Sequence, residues 1–132
     1  MYKHFKLEEF ACSSSGEVRM DEQLLQALED IRERLGEPMI ITSGYRSDQH
    51  PITQAKIDKG AKHGGAHNLG YAADVGCAGP TAMKILALAI ENPASTGVGV
   101  KQSGPWNSRF IHLDAVPHDN NFGLTRPALW SY

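Results

Sequence analysis

The sequence predicts an α+β fold in which a small antiparallel sheet packs against helices. Two observations predict it: helical periodicity dominates the first third of the chain, and short β-branched segments separated by hairpin-like turns dominate the rest. The length of 132 residues predicts a single domain spanning residues 1–132. A chain of this length buries roughly two thirds of its unfolded surface, so it folds without a disulfide or a structural metal.

The first helix is predicted between Asp21 and Gly36. Asp21 can cap its amino end, and Gly36 is placed to end it. Its apolar positions recur at the spacing of one helix face: Leu24, Leu25, Leu28, Ile31 and Leu35. This face is expected to pack against the core.

A short apolar strand is predicted at residues 39–42, and residues 43–47 form the loop that leaves it. Arg46 is therefore presented at the end of a strand, where binding groups often lie. Residues 48–65 are polar and rich in glycine, which predicts a long loop with one helical turn at residues 53–58.

Further elements follow along the second half of the chain. A strand is predicted at residues 71–75, and a helix begins at Pro80 and Thr81 and ends before Pro93. Two more strands are predicted at residues 97–100 and 109–114. The tail, residues 120–132, is predicted to be a packed arm whose anchors are Leu129, Trp130 and Tyr132.

The strand at residues 109–114 alternates between two environments. Residues two apart on a strand share a face, so His112 and Asp114 are expected to point the same way. Ile111 and Leu113 are expected to point into the opposite, apolar layer. The strand therefore lines a cleft with one face and the core with the other.

Composition disfavours several classes of function. A formal charge of −2 and a pI near 6.3 argue against nucleic acid or an anionic membrane surface as the main partner. Cys12 and Cys77 lack the spacing of a disulfide framework or a thiolate zinc site. No segment approaches the ~18 apolar residues of a membrane span, and no signal peptide is recognised. We expect synthesis in the cytoplasm and a monomer.

Two motifs hold the residues with the clearest chemistry. His67 and Asp74 lie in the run Gly-Gly-Ala-His-Asn-Leu-Gly-Tyr-Ala-Ala-Asp, and His112 lies in Phe-Ile-His-Leu-Asp. Two imidazoles and one carboxylate are ligand types that Zn²⁺ accepts. A catalytic zinc typically has three protein ligands and leaves a fourth position for water. These residues are therefore candidate ligands on the face of the sheet.

These motifs, with four further segments, give the chain a family resemblance. The further segments are Phe-Lys-Leu-Glu-Glu-Phe at 5–10, Ile-Thr-Ser-Gly-Tyr-Arg-Ser at 41–47, Gly-Val-Gly-Val at 97–100, and Arg-Pro-Ala-Leu-Trp-Ser-Tyr at 126–132. In this order they resemble the zinc D-Ala-D-Ala metallopeptidase superfamily, and most closely its small phage and bacterial members that cut peptidoglycan stem peptides.

The resemblance implies a Zn²⁺ held by His67, Asp74 and His112, with Arg46 near the substrate. Zinc lowers the pKa of a bound water towards about 7 and polarises a scissile carbonyl. The planar, permanently charged guanidinium of Arg46 suits either a substrate carboxylate or a developing oxyanion.

The general acid/base group does not follow from the resemblance. Several relatives have Glu or Asp three residues before the last zinc histidine, and others have His two before it, but this chain has Arg109 and Phe110 there. Asp114 is the catalytic candidate because it shares a strand face with His112. It could instead orient a zinc imidazole. Three loop histidines are further candidates: His50, His63 and His118.

The sequence thus predicts a zinc-dependent peptidase that hydrolyses an amide in peptidoglycan stem peptides, as an endopeptidase or a D,D-carboxypeptidase. The expected setting is phage-type lysis at the bacterial cell wall. One alternative is a non-catalytic binding or structural protein that keeps the fold and the zinc. Another is a metal-free interaction domain.

Overall fold

The computed structural model describes residues 2–132, which form an α+β domain as the sequence predicts. Its helices are α1 (Glu22–Leu35), α2 (Pro51–Asp58) and α3 (Gly79–Glu91). Its strands are β1 (Ile40–Ser43), β2 (Ala72–Gly76), β3 (Gly97–Lys101), β4 (Phe110–Asp114) and β5 (Ala128–Ser131). Short 3₁₀ turns lie at Leu7–Phe10 and Trp106–Ser108.

The five strands form one open sheet in the order β1-β2-β4-β3-β5. The pairs β1–β2, β2–β4 and β4–β3 are antiparallel, and β3–β5 is parallel. One row of paired residues crosses the whole sheet: Ser43, Asp74, His112, Gly99 and Trp130. Because paired residues share a face, this row sets the layout of the candidate site.

The opposite face of the sheet carries the hydrophobic core. On β4, Ile111 and Leu113 are each 1% exposed and join the apolar cluster formed with α1 and α3. Each such buried side chain stabilises the fold by roughly 1.5–3 kcal/mol. The predicted alternation of β4, with apolar residues in the core and polar residues on the other face, is confirmed.

Helix α1 begins and ends where its sequence predicts. The Asp21 carboxylate accepts a hydrogen bond from the Leu24 N–H at 3.0 Å, which satisfies one of the free donors at the first turn. Gly36 adopts φ of 72°, a left-handed conformation that glycine adopts without a steric penalty. Local capping therefore defines both ends.

Two segments differ from their predicted form. The helical turn expected at residues 53–58 is the eight-residue helix α2, whose start is fixed by Pro51 and by the His50 side chain, which accepts from the Ile52 N–H. The tail, predicted as a packed arm, supplies strand β5. Of its three expected anchors, Trp130 is partly buried, whereas Leu129 and Tyr132 are 66% and 59% exposed.

Candidate metal centre

Three elements bring the candidate ligands together. Asp74 on β2 and His112 on β4 are directly opposite each other in the sheet, and His67 lies in the turn that precedes β2. Their ligand atoms all lie within 4.8 Å of one another, and each residue is buried. The structure therefore places two imidazoles and a carboxylate in one compact group.

The hydrogen bonds of the two imidazoles decide which nitrogen faces Asp74. Nδ1 of His67 lies 2.7 Å from the Gly44 carbonyl oxygen. A carbonyl can only accept, so Nδ1 carries the proton and Nε2 is left with its lone pair, 3.2 Å from Asp74 Oδ1. Nε2 of His112 lies 2.8 Å from Asp114 Oδ2, so its Nδ1 lone pair faces the same Asp74 oxygen at 3.2 Å.

This arrangement fits a metal ion. Two imidazole lone pairs and a carboxylate oxygen that face one another require a cation or a proton between them. Neutral imidazole and ionised carboxylate are the forms that bind zinc, and the outer nitrogens already donate to a carbonyl and a carboxylate. The residues present therefore fit a Zn²⁺ ion held by His67, Asp74 and His112.

Asp114 lies behind His112 and is 0% exposed. Its carboxylate accepts from His112 and also from two nitrogens of Arg126, Nε at 2.9 Å and Nη2 at 2.7 Å. The Arg126 guanidinium stacks on Trp130, whose ring centroid lies 5.0 Å from that of His112. These contacts favour the orienting role for Asp114 over a role in proton transfer within the cleft.

Two glycines of β3 give these side chains room. A Cβ atom on Gly97 would overlap both carboxylate oxygens of Asp114, and one on Gly99 would overlap the indole of Trp130. Gly97 is paired with Asp114 and Gly99 with His112. The alternation Gly-Val-Gly-Val therefore leaves space on the site face and places valine on the core face.

Asn68 fixes the turn that carries His67. Its side-chain N–H groups donate to the Arg46 carbonyl at 2.9 Å and to the Asp48 carboxylate at 3.0 Å, and its oxygen accepts from the Gly64 N–H at 2.9 Å. The Arg46 N–H in turn donates to the His67 carbonyl. Asn68 thus holds the His67 turn against the loop of Arg46.

Arg46 lies beside the ligand group in a cleft of about 320 Å³. Its Nη2 is 3.6 Å from Asp74 Oδ2, and its side chain is 15% exposed. The cleft is lined by Arg46, Lys56, Gly65, Ala66, His67, Asp74, Phe110, His112, Leu124, Arg126, Trp130 and Tyr132. The structure therefore brings the predicted binding residue and the three predicted ligands to the same cleft.

Burial and charge pairing shift the pKa values of these groups in opposite directions. Burial raises the pKa of Asp74. When protons rather than a metal lie between these groups, hydrogen bonds from His112 and His67 to Asp74 outweigh burial and hold that pKa well below its usual range. Burial also raises the pKa of Asp114, but hydrogen bonds from His112 and Arg126 outweigh burial and lower that pKa. Burial lowers the pKa of His67. Burial also lowers the pKa of His112, but hydrogen bonds to Asp114 and Asp74 outweigh burial and raise that pKa.

The three loop histidines are absent from the cleft lining, and each contacts a backbone group. His50 caps α2, His63 accepts from the Gly65 N–H and contacts the Phe122 carbonyl, and His118 contacts the Arg126 carbonyl. Arg109 donates to the Gly104 carbonyl and stacks on Trp106. Phe110 lies in the cleft lining but has no titratable group.

Sequence reasoning missed Arg126, Asn68 and the placement of Trp130. Arg126 and Trp130 lie in the terminal segment that carries the resemblance, so the segment was recognised but its contact with Asp114 was not. The one clue to the space they occupy was the pair Gly97 and Gly99 on the site face of a strand. Nothing in the sequence marks Asn68 as a link between two loops.

Comparison with known proteins gives one match. A family model described as Peptidase M15 matches residues 3–114, a segment that includes all three candidate ligands, Arg46 and Asp114. No curated protein and no solved structure matches the chain. Arg126 and β5 lie beyond the matched segment. Because the match covers most of the chain, the protein belongs to the peptidase M15 family.

Proposed function

We propose that the protein is a zinc-dependent peptidase that hydrolyses an amide bond in peptidoglycan stem peptides. Membership of the M15 family supports a metallopeptidase. The observation that carries the proposal is the orientation of the two imidazoles, whose lone pairs face Asp74 Oδ1 because Gly44 and Asp114 hold their outer nitrogens. The open cleft beside them gives a peptide access.

Each site residue has a role in this proposal. His67, Asp74 and His112 would hold the metal, which would supply a hydroxide nucleophile near neutral pH and polarise the scissile carbonyl. Arg46 lies beside Asp74 and binds either the substrate carboxylate or the oxyanion that develops on the carbonyl. The backbone of Arg46 is held against the His67 turn by hydrogen bonds with His67 and Asn68.

Asp114 acts as a positioning residue in this proposal. Its carboxylate lies behind His112, is 0% exposed and is paired with Arg126, so it fixes the ring orientation of a metal ligand. The expectation that Asp114 is the catalytic acid/base group receives no support from this placement. Proton transfer to the leaving amine then belongs to a group that faces the cleft.

One observation favours the competing function of a zinc-containing binding or structural protein. Within residues 2–132, the cleft lining holds no Glu, and its one Asp is the candidate ligand Asp74. Peptidases of this type use a free carboxylate or a comparable group to move the proton. The binding protein would therefore hold zinc and bind a wall peptide without turnover.

The proposed place of action is the bacterial cell wall, in phage-type lysis or in a virion, with the protein acting as a monomer. Among residues 2–132 the longest apolar helices are too short to cross a membrane. The support for this setting is the peptidase family together with the resemblance to small wall-cutting members.

The proposal is tested by zinc content and by release of new amino groups from purified peptidoglycan. We expect about one zinc per chain in the wild type, with mass spectrometry of the released fragments giving the bond that is cut. Asp74→Asn and His112→Ala should lose both zinc and cleavage. His4→Ala is a matched control, because His4 contacts Glu33 on α1 and is absent from the cleft lining.

Zinc without amino-group release from walls of several chemotypes would support the binding protein instead. A wild-type protein without zinc, purified in zinc-containing buffer, would contradict both functions.

A further inference from the structure

The cleft beside the metal ligands carries more positive charge than its own carboxylates balance. Three side chains of its lining are permanently or normally cationic: Arg46, Lys56 and Arg126. The charge of Arg126 is balanced by Asp114, which accepts from Nε and Nη2, and its Nη1 donates to the Thr125 carbonyl. Arg46 shares the cleft with Asp74, whose Oδ2 is 3.6 Å from its Nη2, so the charge of Lys56 has no carboxylate of its own in the lining.

Lys56 projects from α2 towards the turn that carries His67. Its ammonium donates to the Gly64 carbonyl at 3.0 Å, and it lies 3.2 Å from the point where a side chain on Gly65 would begin. Gly65 has φ of 90° and no side chain, so the ammonium occupies that space. Lys56 is an exposed residue overall, yet this contact holds its charged end at the cleft.

The ammonium of Lys56 has unused hydrogen-bonding capacity. An ammonium offers three donors, and the described contacts use one of them, on the Gly64 carbonyl. Among residues 2–132, no carboxylate lies within 4.0 Å of Lys56 Nζ. Arg46 and Lys56 line the same cleft, and burial and the charge of Arg46 both lower the pKa of Lys56.

Two neighbouring cations without an intervening carboxylate are electrostatically unfavourable unless an anion joins them. Asp74 does not fill this role, because its Oδ1 faces the two imidazoles and only its Oδ2 faces Arg46. A bound divalent metal would increase the positive charge further. The complementary ligand is therefore an anion supplied from outside the chain.

We propose that Lys56 forms a second carboxylate subsite beside Arg46, so that the cleft prefers a peptide bearing an acidic group next to the segment held at the metal. This proposal rests on the proposed peptidase function and names the chemical class of its substrate. Arg46 binds one anionic group near the metal, and Lys56 binds another at the mouth of the cleft. Lys56 is a specificity-determining residue and takes no part in bond cleavage.

The test measures binding of two matched peptides to the zinc-loaded protein by isothermal titration calorimetry at low salt. The peptides are N-acetyl-Ala-Glu and N-acetyl-Ala-Gln, which share their C-terminal carboxylate and differ by one side-chain charge. We expect the wild type to bind the Glu peptide about two- to fivefold more tightly, as for an exposed charge pair. This preference should shrink as salt is raised.

Lys56→Gln should remove the preference, because it weakens binding of the Glu peptide more than binding of the Gln peptide, whereas Lys56→Arg should keep the preference. Lys59→Gln is the matched control, because Lys59 is an exposed lysine at the end of the same helix and is absent from the cleft lining. It alters the net charge equally and should keep the preference.

Equal affinities in the wild type, absence of binding of either peptide, or a Glu preference that survives Lys56→Gln would overturn the subsite. Wall cleavage is measured separately on the same proteins. A Lys56-dependent preference without wall cleavage would contradict the peptidase function and leave the subsite standing. Wall cleavage without that preference would overturn the subsite and leave the peptidase function standing.

Discussion

Asp114 and Arg126 form a two-point ion pair directly behind the imidazole of His112. The guanidinium donates through Nε and Nη2, and the carboxylate passes this restraint to the ring through a 2.8 Å hydrogen bond to Nε2. Arg126 precedes β5, so the edge of the sheet controls a ligand at its centre. The ring of His112 is thus held by Asp114, which is absent from the cleft lining, and through Asp114 by Arg126.

Arg126→Gln should weaken zinc binding although Arg126 is not a ligand. The glutamine cannot donate from two adjacent nitrogens to both Asp114 oxygens, so the carboxylate and the His112 ring lose their fixed orientation. Loss of such an outer partner typically lowers metal affinity by about 10- to 100-fold. Competition with a chromophoric chelator measures this change. Arg34→Gln is the control, because Arg34 is an exposed arginine on α1 paired with Asp30. Equal zinc affinities in the two variants would contradict the role of Arg126 in orienting His112 through Asp114.

Asp114→Asn should destabilise the metal-free protein in a pH-dependent way. The variant leaves the Arg126 guanidinium without its anion at a site where Asp114 is fully buried, and breaking such a pair typically costs about 3–5 kcal/mol. The folded-state pKa of Asp114 is lowered, since the hydrogen bonds from His112 and Arg126 outweigh the opposing effect of burial. Its contribution is therefore complete above about pH 4, the ordinary aspartate value, and is lost as the pH falls towards the folded-state pKa.

Urea unfolding in the presence of a chelator measures this difference between wild type and Asp114→Asn at several pH values. The gap in unfolding free energy should be largest near pH 7 and should narrow below about pH 4 as the wild-type carboxylate becomes protonated. A gap of the same size across this range would mean that the charge of Asp114 does not stabilise the fold.

Gly97→Ala should disturb the site through sterics alone. The added methyl would overlap both oxygens of the Asp114 carboxylate, which cannot move without losing His112 or Arg126. We expect a stability loss of about 1–3 kcal/mol, as for an overpacked interior, together with weaker zinc binding. Gly36→Ala separates the two effects, because Gly36 has a positive φ but open space around it. It should cost about 1 kcal/mol of stability and keep the zinc affinity.

The sequence predicts the parts of this fold that depend on local patterns. Helix α1 has an Asp cap and a terminal glycine, and β4 alternates between core and site, so both form where the pattern places them. The extent of α2 and the existence of β5 were not predicted. Strand β5 pairs in parallel with β3, and a parallel pairing across a long connection depends on tertiary contacts that leave no local periodicity.

The same division holds at the site. Residues that supply chemistry, such as His67 and His112, are recognisable because few side-chain types can serve as ligands. Residues that position them are harder to recognise, since Asn68 and Arg126 are types that occur on most protein surfaces. Asp114 shows the limit most clearly: its strand face was predicted, but its burial and its pairing with Arg126 required the fold.

Metal removal should lower the thermal stability of the wild type by an amount that depends on the three candidate ligands. A ligand present at about 1,000 times its Kd stabilises a folded protein by about 4 kcal/mol, which corresponds to a shift in Tm of roughly 10–20 °C for a domain of this size. Calorimetry with zinc and with chelator measures the shift. His112→Ala should show no zinc-dependent shift in Tm, because one of the three candidate metal ligands is missing. Arg46→Gln should retain most of the shift, since Arg46 contacts Asp74 without being a ligand. Zinc-dependent stabilisation that persists in His112→Ala would place the metal elsewhere in the protein.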